Sequence, residues 1–304
     1  MVRSGADPLA AWLEERIGIR VVGLTPVGGG CIHSAWCLET ADKQRLFAKT
    51  NRAEQLPLLE AEAEGLGALA QVAPAGIAIP EPLALGVVAG EAVLVLPWLE
   101  LARGARPPEA WAAYGANLAR LHRTSLPGGP LAPGQGFGWG RDNYIGSSVQ
   151  PNGWRERWSI FFVECRLRPQ LGWLAQKGVR FSGAEALLEK LPEWLESHGA
   201  QPCLVHGDLW SGNGGLLASG EGSLFDPAVY RGDRESDLAM ARLFGGFPEA
   251  FFQGYDEEWP LEDGWQRRMS IYNLYHLLNH ANLFGGSYKK QAQSVLVALL
   301  GQEK

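Results

Sequence analysis

A chain of 304 residues, 46% of them hydrophobic and 20% charged, is long enough to bury a proper core as one large domain or two smaller ones. Its formal net charge of −6, with no basic patch interleaved with aromatics, argues against non-specific binding to nucleic acid or to an anionic membrane. No uninterrupted apolar run can span a bilayer and residues 1–18 hold no apolar leader core, so a soluble, cytoplasmic chain is expected.

Asp7 can cap a first helix, Pro8 to Ile17, whose apolar Leu9, Trp12, Leu13 and Ile17 recur at helical spacing. Strands are predicted over 21–25, 34–39 and 44–50, around glycine clusters and turn residues, as an antiparallel sheet that begins with a glycine-rich hairpin. Leu56 to Val72 reads as a helix with Leu59, Ala63, Leu66 and Ala70 on one face. Ile79 to Val88 and Glu91 to Leu96 read as two more strands, the second running into Pro97-Trp98-Leu99. Five strands and one helix make an N-terminal lobe over residues 1–99, with a hinge near 97–99.

Beyond residue 100 the pattern turns to helices separated by Pro- and Gly-rich loops, which gives a mainly helical lobe over 100–304 and an α+β fold class. Helices are predicted at Glu109 to His122, at Trp154 to Gln176 as one or two, at Gly183 to Leu195, and as two or three after Asp233 and Gly264. The stretch 127–153 is rich in Gly, Pro and Asn but also holds Phe137, Trp139 and Tyr144, so it is expected to be ordered around something.

Within that second part, Gln201 to Val205 reads as a short buried strand that enters His206-Gly207-Asp208-Leu209-Trp210-Ser211-Gly212-Asn213. Leu216-Leu217 and Ser223 to Phe225 read as a hairpin with Asp226 at its exit. Asp208 and Asn213 stand at the D-x-x-x-x-N spacing of a phosphoryl-transfer loop, and Asp226 falls where such sites keep a second metal-binding carboxylate. That chemistry needs one carboxylate to take a hydroxyl proton, and an amide oxygen with another carboxylate to hold the magnesium that neutralises phosphates. An Asp followed five positions on by Asn is by itself often a turn or a cap; three polar groups at the ends of adjacent buried strands make it a candidate site.

Other features carry two readings each. Gly28, Gly29 and Gly30 lie between strands, where backbone N–H groups could cover nucleotide phosphates, although an ordinary glycine hairpin explains them as well. Lys49 lies inside an apolar strand and Glu60, Glu62 and Glu64 on the next helix; without the downstream loop these would read as a surface lysine and a solvated acidic face. Trp210 is either core or a face on which a sugar or an amine-bearing group stacks. His206 stands beneath the loop, where an imidazole anchors backbone. His276 and His280 are four apart, but Leu277 replaces the glutamate of a zinc protease, so they read as a core or surface pair. His33, His122 and His198 carry no catalytic expectation, and Asp237 reads as a helix cap. Cys31, Cys37, Cys165 and Cys203 are too sparse for a disulfide framework and lack C-x-x-C spacing.

Taken together these residues resemble the fructosamine-3-kinase and ketosamine-3-kinase family, relatives of the aminoglycoside and choline kinases within the bilobal protein-kinase-like fold. The resemblance rests on residues 206–213 with Phe225-Asp226-Pro227-Ala228. It extends through 47–51, 60–66, 121–123, 142–146 with Gln150, Asn152 and Trp154, then 166–167, 243–247 and 277–280, nearly the whole chain. The Leu-Trp-Ser-Gly insert and the 142–154 block are its most particular parts.

The resemblance implies transfer of the γ-phosphoryl of ATP, with Mg2+, to the 3-hydroxyl of a ketosamine carried by a small amine or a protein lysine, and hence deglycation repair. It implies Asp208 as base, Asn213 and Asp226 as magnesium ligands, and Lys49 paired with Glu62 on the phosphates, Glu60 being the fallback. Gly29 and Gly30 would cover the phosphates, the Pro97 carbonyl and Leu99 N–H would meet adenine, and Trp210 and His206 would face the acceptor. No H-R-D, D-F-G or A-P-E is present, which weighs against a protein kinase with a phosphorylated activation loop. The rivals are a kinase of another small hydroxyl compound, such as an aminoglycoside or choline, and a pseudokinase, against which the intact polar set argues. Cys31, at a turn whose N–H groups favour thiolate, is a candidate redox site able to form an intermolecular disulfide, an inert thiol being the other reading. Monomer and homodimer are both open.

Overall fold

The computed structural model describes residues 8–28, 32–128 and 136–301. Asp7, Gly29, Gly30 and Cys31, with the cap, phosphate-cover and redox expectations they carry, lie outside the described residues. The chain opens with α1 (Pro8–Ile17), then β1 (Val21–Val27), β2 (Ser34–Thr40), β3 (Arg45–Arg52), α2 (Leu56–Val72), β4 (Ile77–Ala78), β5 (Ala84–Val88) and β6 (Glu91–Pro97). Five of the strands form one antiparallel sheet in the order β1-β2-β3-β6-β5. Its two faces are assigned by strand alternation. On β6, Val93 and Val95 join Leu9 and Leu13 of α1 in one apolar cluster, while Ala92, Leu94 and Leu96 join Leu59 and Leu66 of α2 in another.

The strand expected over Ile79 to Val88 is broken. Pro80 and Pro82 supply no N–H for a ladder, so the chain forms only the two-residue β4 before Pro80 and resumes pairing at Ala84. β4 leaves the five-stranded sheet altogether and pairs parallel to a later strand, Gly222↔Ile77 and Ser223↔Ala78.

The remainder comprises α3 (Pro108–Thr124), the hairpin β7 (Asn143–Ile145) and β8 (Ser148–Gln150), α4 (Trp158–Phe161) and α5 (Arg168–Gln176) joined by a π-helical segment Phe162–Leu167, and α6 (Ala184–Glu196). Four short strands follow, β9 (Cys203–Val205), β10 (Gly214–Leu216), β11 (Gly222–Leu224) and β12 (Tyr230–Gly232), then α7 (Glu235–Leu243), α8 (Glu249–Glu258), α9 (Trp265–Phe284) and α10 (Ser287–Gly301). Four helices thus close the chain where two or three were expected. Gly245, Gly246 and Pro248 end one before the next begins, and Gly285 with Gly286, both at positive φ, separate the last two.

The helix expected from Trp154 starts at Trp158, because the preceding residues pair back on the chain through Phe137↔Arg155. Its π-helical segment carries Arg166, fully buried, whose guanidinium donates to Asn152 Oδ1 at 2.8 Å and lies 3.9 Å from the Tyr230 ring centre. Most of the core lies in this part of the molecule, and Ala68, Leu69 and Val72 of α2 belong to it, so α2 belongs to both cores.

Candidate active site

The site is assembled from the α2 face of the sheet and the β9–β10 loop. Alternation on β3 puts Lys49 on the same face as Phe47, toward α2, and its Nζ lies 2.8 Å from Glu62 Oε1. The pairing is with Glu62, not the fallback Glu60. The same Nζ reaches Asp226 Oδ1 at 2.8 Å, so one buried ammonium bridges a helix carboxylate and the carboxylate at the exit of β11. Burial opposes its charge, but Asp226 and then Glu62 outweigh it and hold Lys49 above the usual lysine range. Burial pushes Glu62 up to about 7 against the pull of Lys49. Partial loss of water works against the Asp226 charge as well, yet Lys49 holds that carboxyl below the usual range.

The loop from His206 to Asn213 is held from beneath. Gly207 has φ +81°, and a Cβ there would run into the Ala228 carbonyl, so only glycine lets the chain pass at this point. His206 N and Gly207 N donate to Asp237 Oδ2 and Oδ1 at 2.7 and 2.8 Å, and His122 Nε2 lies 3.2 Å from Oδ2. Asp237 lies inside α7, whose N-cap position is Arg234. Read from sequence as a cap, it is a buried bracket for the loop. His206 needs a correction too. Its ring is fully buried with Nε2 3.0 Å from the Phe225 carbonyl, so it anchors the strand before Asp226 and does not face an acceptor.

Above this bracket Asp208 and Asn213 meet. Asn213 Nδ2 donates to Asp208 Oδ2 at 3.1 Å, to the Asp208 carbonyl at 3.0 Å and to the Asp226 carbonyl at 3.4 Å. Three acceptors on one amide nitrogen fix the side-chain orientation and leave Oδ1 for another partner. Asp226 is half exposed, with φ +58° and one carboxylate oxygen on Lys49. An amide oxygen and a carboxylate oxygen are hard donors of the kind that magnesium takes, so the donor types fit that ion. Burial raises Asp208 to about 8, the nearby Asp226 charge adds to this, and the Asn213 hydrogen bond opposes it.

Trp210, 38% exposed, lies against Gly212, whose lack of a side chain leaves room for the indole. Pro97 ends β6, and Pro97, Trp98 and Leu99 are half-buried; beyond them Ala102 N donates to Leu216 O and Ala218 N to Glu100 O. The segment 136–153 is ordered around a buried amide network. Asn143 Nδ2 donates to Val229 O, Gln150 Nε2 to Ala228 O and Asn143 Oδ1, and Asn152 Nδ2 to Asn143 Oδ1, so the chain just after Asp226 is held by side chains far away in sequence.

His276 is buried, and burial pushes it down to about 3, while His280 Nδ1 lies 2.9 Å from the His276 carbonyl, a core arrangement. Cys37, Cys165 and Cys203 are buried free thiols raised by that burial. Among the described residues no helix is long and apolar enough to cross a membrane.

A poised carboxyl, oxygen donors for a hard cation and a buried lysine brought together are the parts that phosphoryl transfer needs. Comparison with known proteins agrees. The family model described as fructosamine kinase matches residues 7–302. A probable ketoamine kinase of Synechocystis is 47% identical over 270 residues, 89% of this chain and 88% of that protein. A solved structure given as a fructosamine-3-kinase of Haemophilus somnus superposes with a TM-score of 0.84 at 28% identity, covering 96% of this chain and 97% of the other. A macrolide 2′-phosphotransferase, 17% identical with a TM-score of 0.56 over 99% of this chain and 98% of its own, shares the kinase-like fold alone. With the match running through nearly the whole chain and across both halves of the site, the chain belongs to the fructosamine kinase family and is a phosphotransferase.

Proposed function

We propose that the chain transfers the γ-phosphoryl group of ATP to the 3-hydroxyl of a ketosamine, the sugar–amine adduct on a small amine or a protein lysine, and so serves deglycation. The observation that carries this reading is the meeting of Asp208, Asn213, Asp226 and Lys49, in a chain 47% identical to a probable ketoamine kinase. Asp208 takes the proton of the acceptor hydroxyl. Asn213 Oδ1 and Asp226 hold Mg2+, which when bound neutralises phosphate charge. Lys49, kept charged by Asp226 and Glu62, holds phosphate oxygens. The chain divides at 97–99, where the Pro97 carbonyl and Leu99 N–H take the adenine edge, and Trp210 offers an exposed ring to the sugar or its amine.

The test is a coupled ATPase screen over synthetic ketosamines, aminoglycosides and choline, with NMR of the product. Phosphate at the ketosamine 3-hydroxyl is expected; turnover only of choline or an aminoglycoside would move the chain to another acceptor class. Asp208→Asn is expected to keep nucleotide binding and lower turnover by about 10²–10⁴-fold. Near-normal turnover would remove Asp208 as base.

A further inference from the structure

His33 stands one residue before β2. Across the ladder Ser34 pairs with Thr50, which brings His33 opposite Asn51. Asn51 is two residues from Lys49 on β3, so both side chains leave the sheet on the face that carries the site. The Asn51 amide is oriented without ambiguity. Its Nδ2 lies 3.1 Å from the Ile32 carbonyl, which can only accept, and its Oδ1 accepts the Arg52 N–H at 2.8 Å, so the amide cannot be turned over.

That same Nδ2 is 3.0 Å from His33 Nδ1. An amide NH2 has only hydrogens to offer, so Nδ1 must be the acceptor and the ring proton must sit on Nε2. The ring is half-buried, and among the described residues its Nε2 meets no hydrogen-bond partner. Burial and then the Lys49 charge lower the His33 pKa, with Asp226 opposing. A fixed N–H donor, neutral because Nδ1 is the acceptor, thus stands opposite Asn51 on the sheet face that carries Lys49, itself shared between two carboxylates.

We propose that His33 is a nucleotide-contacting residue: its Nε2–H donates to a β- or γ-phosphate oxygen of the bound nucleoside triphosphate, and Asn51 sets the tautomer that makes this possible. The inference rests on the ATP-dependent reading above. A neutral donor suits this place. It binds a phosphate oxygen without drawing Asp226 away from Lys49 or from a metal, as a second cation would.

Magnesium AMP-PNP, magnesium ADP and adenosine titrated into the parent, His33→Ala and His33→Gln test it. One hydrogen bond to a charged oxygen corresponds to about tenfold to a hundredfold in affinity. His33→Ala should therefore lose that factor for AMP-PNP and bind adenosine as the parent does. His33→Gln, whose amide nitrogen reaches near the position of Nε2, should recover part of the loss. In ¹⁵N spectra of the free parent, His33 should report the Nε2–H tautomer, with Nε2 shifting when AMP-PNP is added. Equal affinity of parent and His33→Ala for AMP-PNP, equal weakening for all three ligands, or an Nδ1–H tautomer would each overturn the assignment. A parent that binds AMP-PNP no more tightly than adenosine would instead remove the kinase reading, and this proposal with it.

Discussion

Asp237 accepts the Gly207 N–H at 2.8 Å across 30 residues of sequence, and its other oxygen takes the His206 N–H at 2.7 Å. A buried carboxylate between two backbone donors and His122 is a charge fully committed to holding the loop shape. Asp237→Ala should cost about 3–5 kcal/mol, the range for breaking a buried, paired charge, and Asp237→Asn less because one acceptor survives. The effect depends on pH in a defined direction. Burial alone would raise the Asp237 pKa, but the His122 hydrogen bond, the His122 and His206 charges and the Gly207 N–H hold it below the usual range. Stability from a depressed carboxyl is present above its unfolded pKa of about 4 and is lost as pH falls through the folded value. Urea melts of parent and Asp237→Asn should therefore differ most near neutrality and converge in acid; a gap that stays constant down to acid unfolding would remove the charge as its source.

The parts of the site that sequence reasoning reaches are those fixed by local periodicity. Lys49 reads as lying inside an apolar strand, which β3 is, and α2 runs from Leu56 to Val72 as its apolar spacing predicts. What escapes is partnership across the fold. Asp237 falls in the first turn of a helix, so it has the local signature of a cap, and only tertiary structure brings it beneath His206. His206, expected from its place in the motif to anchor backbone beneath the loop, does pack its ring inward on Phe225 O, whereas the acceptor-facing role implied by the resemblance does not hold. The pairing of Asn51 with His33 depends on the β2–β3 register, which no spacing in either segment reveals. The broken strand after Ala78 is a different matter, since Pro80 and Pro82 were a readable signal against it.

Asp208, raised to about 8 by burial and by the Asp226 charge, gives a pH profile of predictable sign. A base must be deprotonated to act, so the rate should fall as pH drops below that value. In kcat/KM for ATP, which reports the free enzyme, the acid limb should lie near 8. In kcat, which reports the complex in which Mg2+ offsets the Asp226 charge, the limb should lie lower. Coincident limbs, or one in the ordinary carboxylate range in both parameters, would contradict the electrostatic account.

Glu64 ties the same helix to the other half of the molecule. Its Oε1 accepts the Trp139 Nε1–H at 2.7 Å and its Oε2 lies 2.7 Å from Arg141 Nε, while Glu62, two residues earlier and on another side of α2, holds Lys49. Gly65 next to it lies against Val229, where a Cβ would stand 3.2 Å from the valine Cγ2, so α2 rests on the chain that leaves Asp226. The Glu64 contacts are partly exposed, and Glu64→Ala should lower stability by no more than about 1 kcal/mol. Its effect on function should be larger than that suggests, because a looser α2 weakens the alignment of Glu62, Lys49 and Asp226 together. A coupling of about 0.5–2 kcal/mol corresponds to a rise in the KM for ATP of about twofold to thirtyfold, with the KM for the acceptor nearly unchanged. Steady-state kinetics on Glu64→Ala beside Glu62→Gln read this directly. If Glu64→Ala leaves the KM for ATP where it was while Glu62→Gln raises it, the Glu64 contacts with Trp139 and Arg141 are surface pairs and α2 is held by its apolar packing alone.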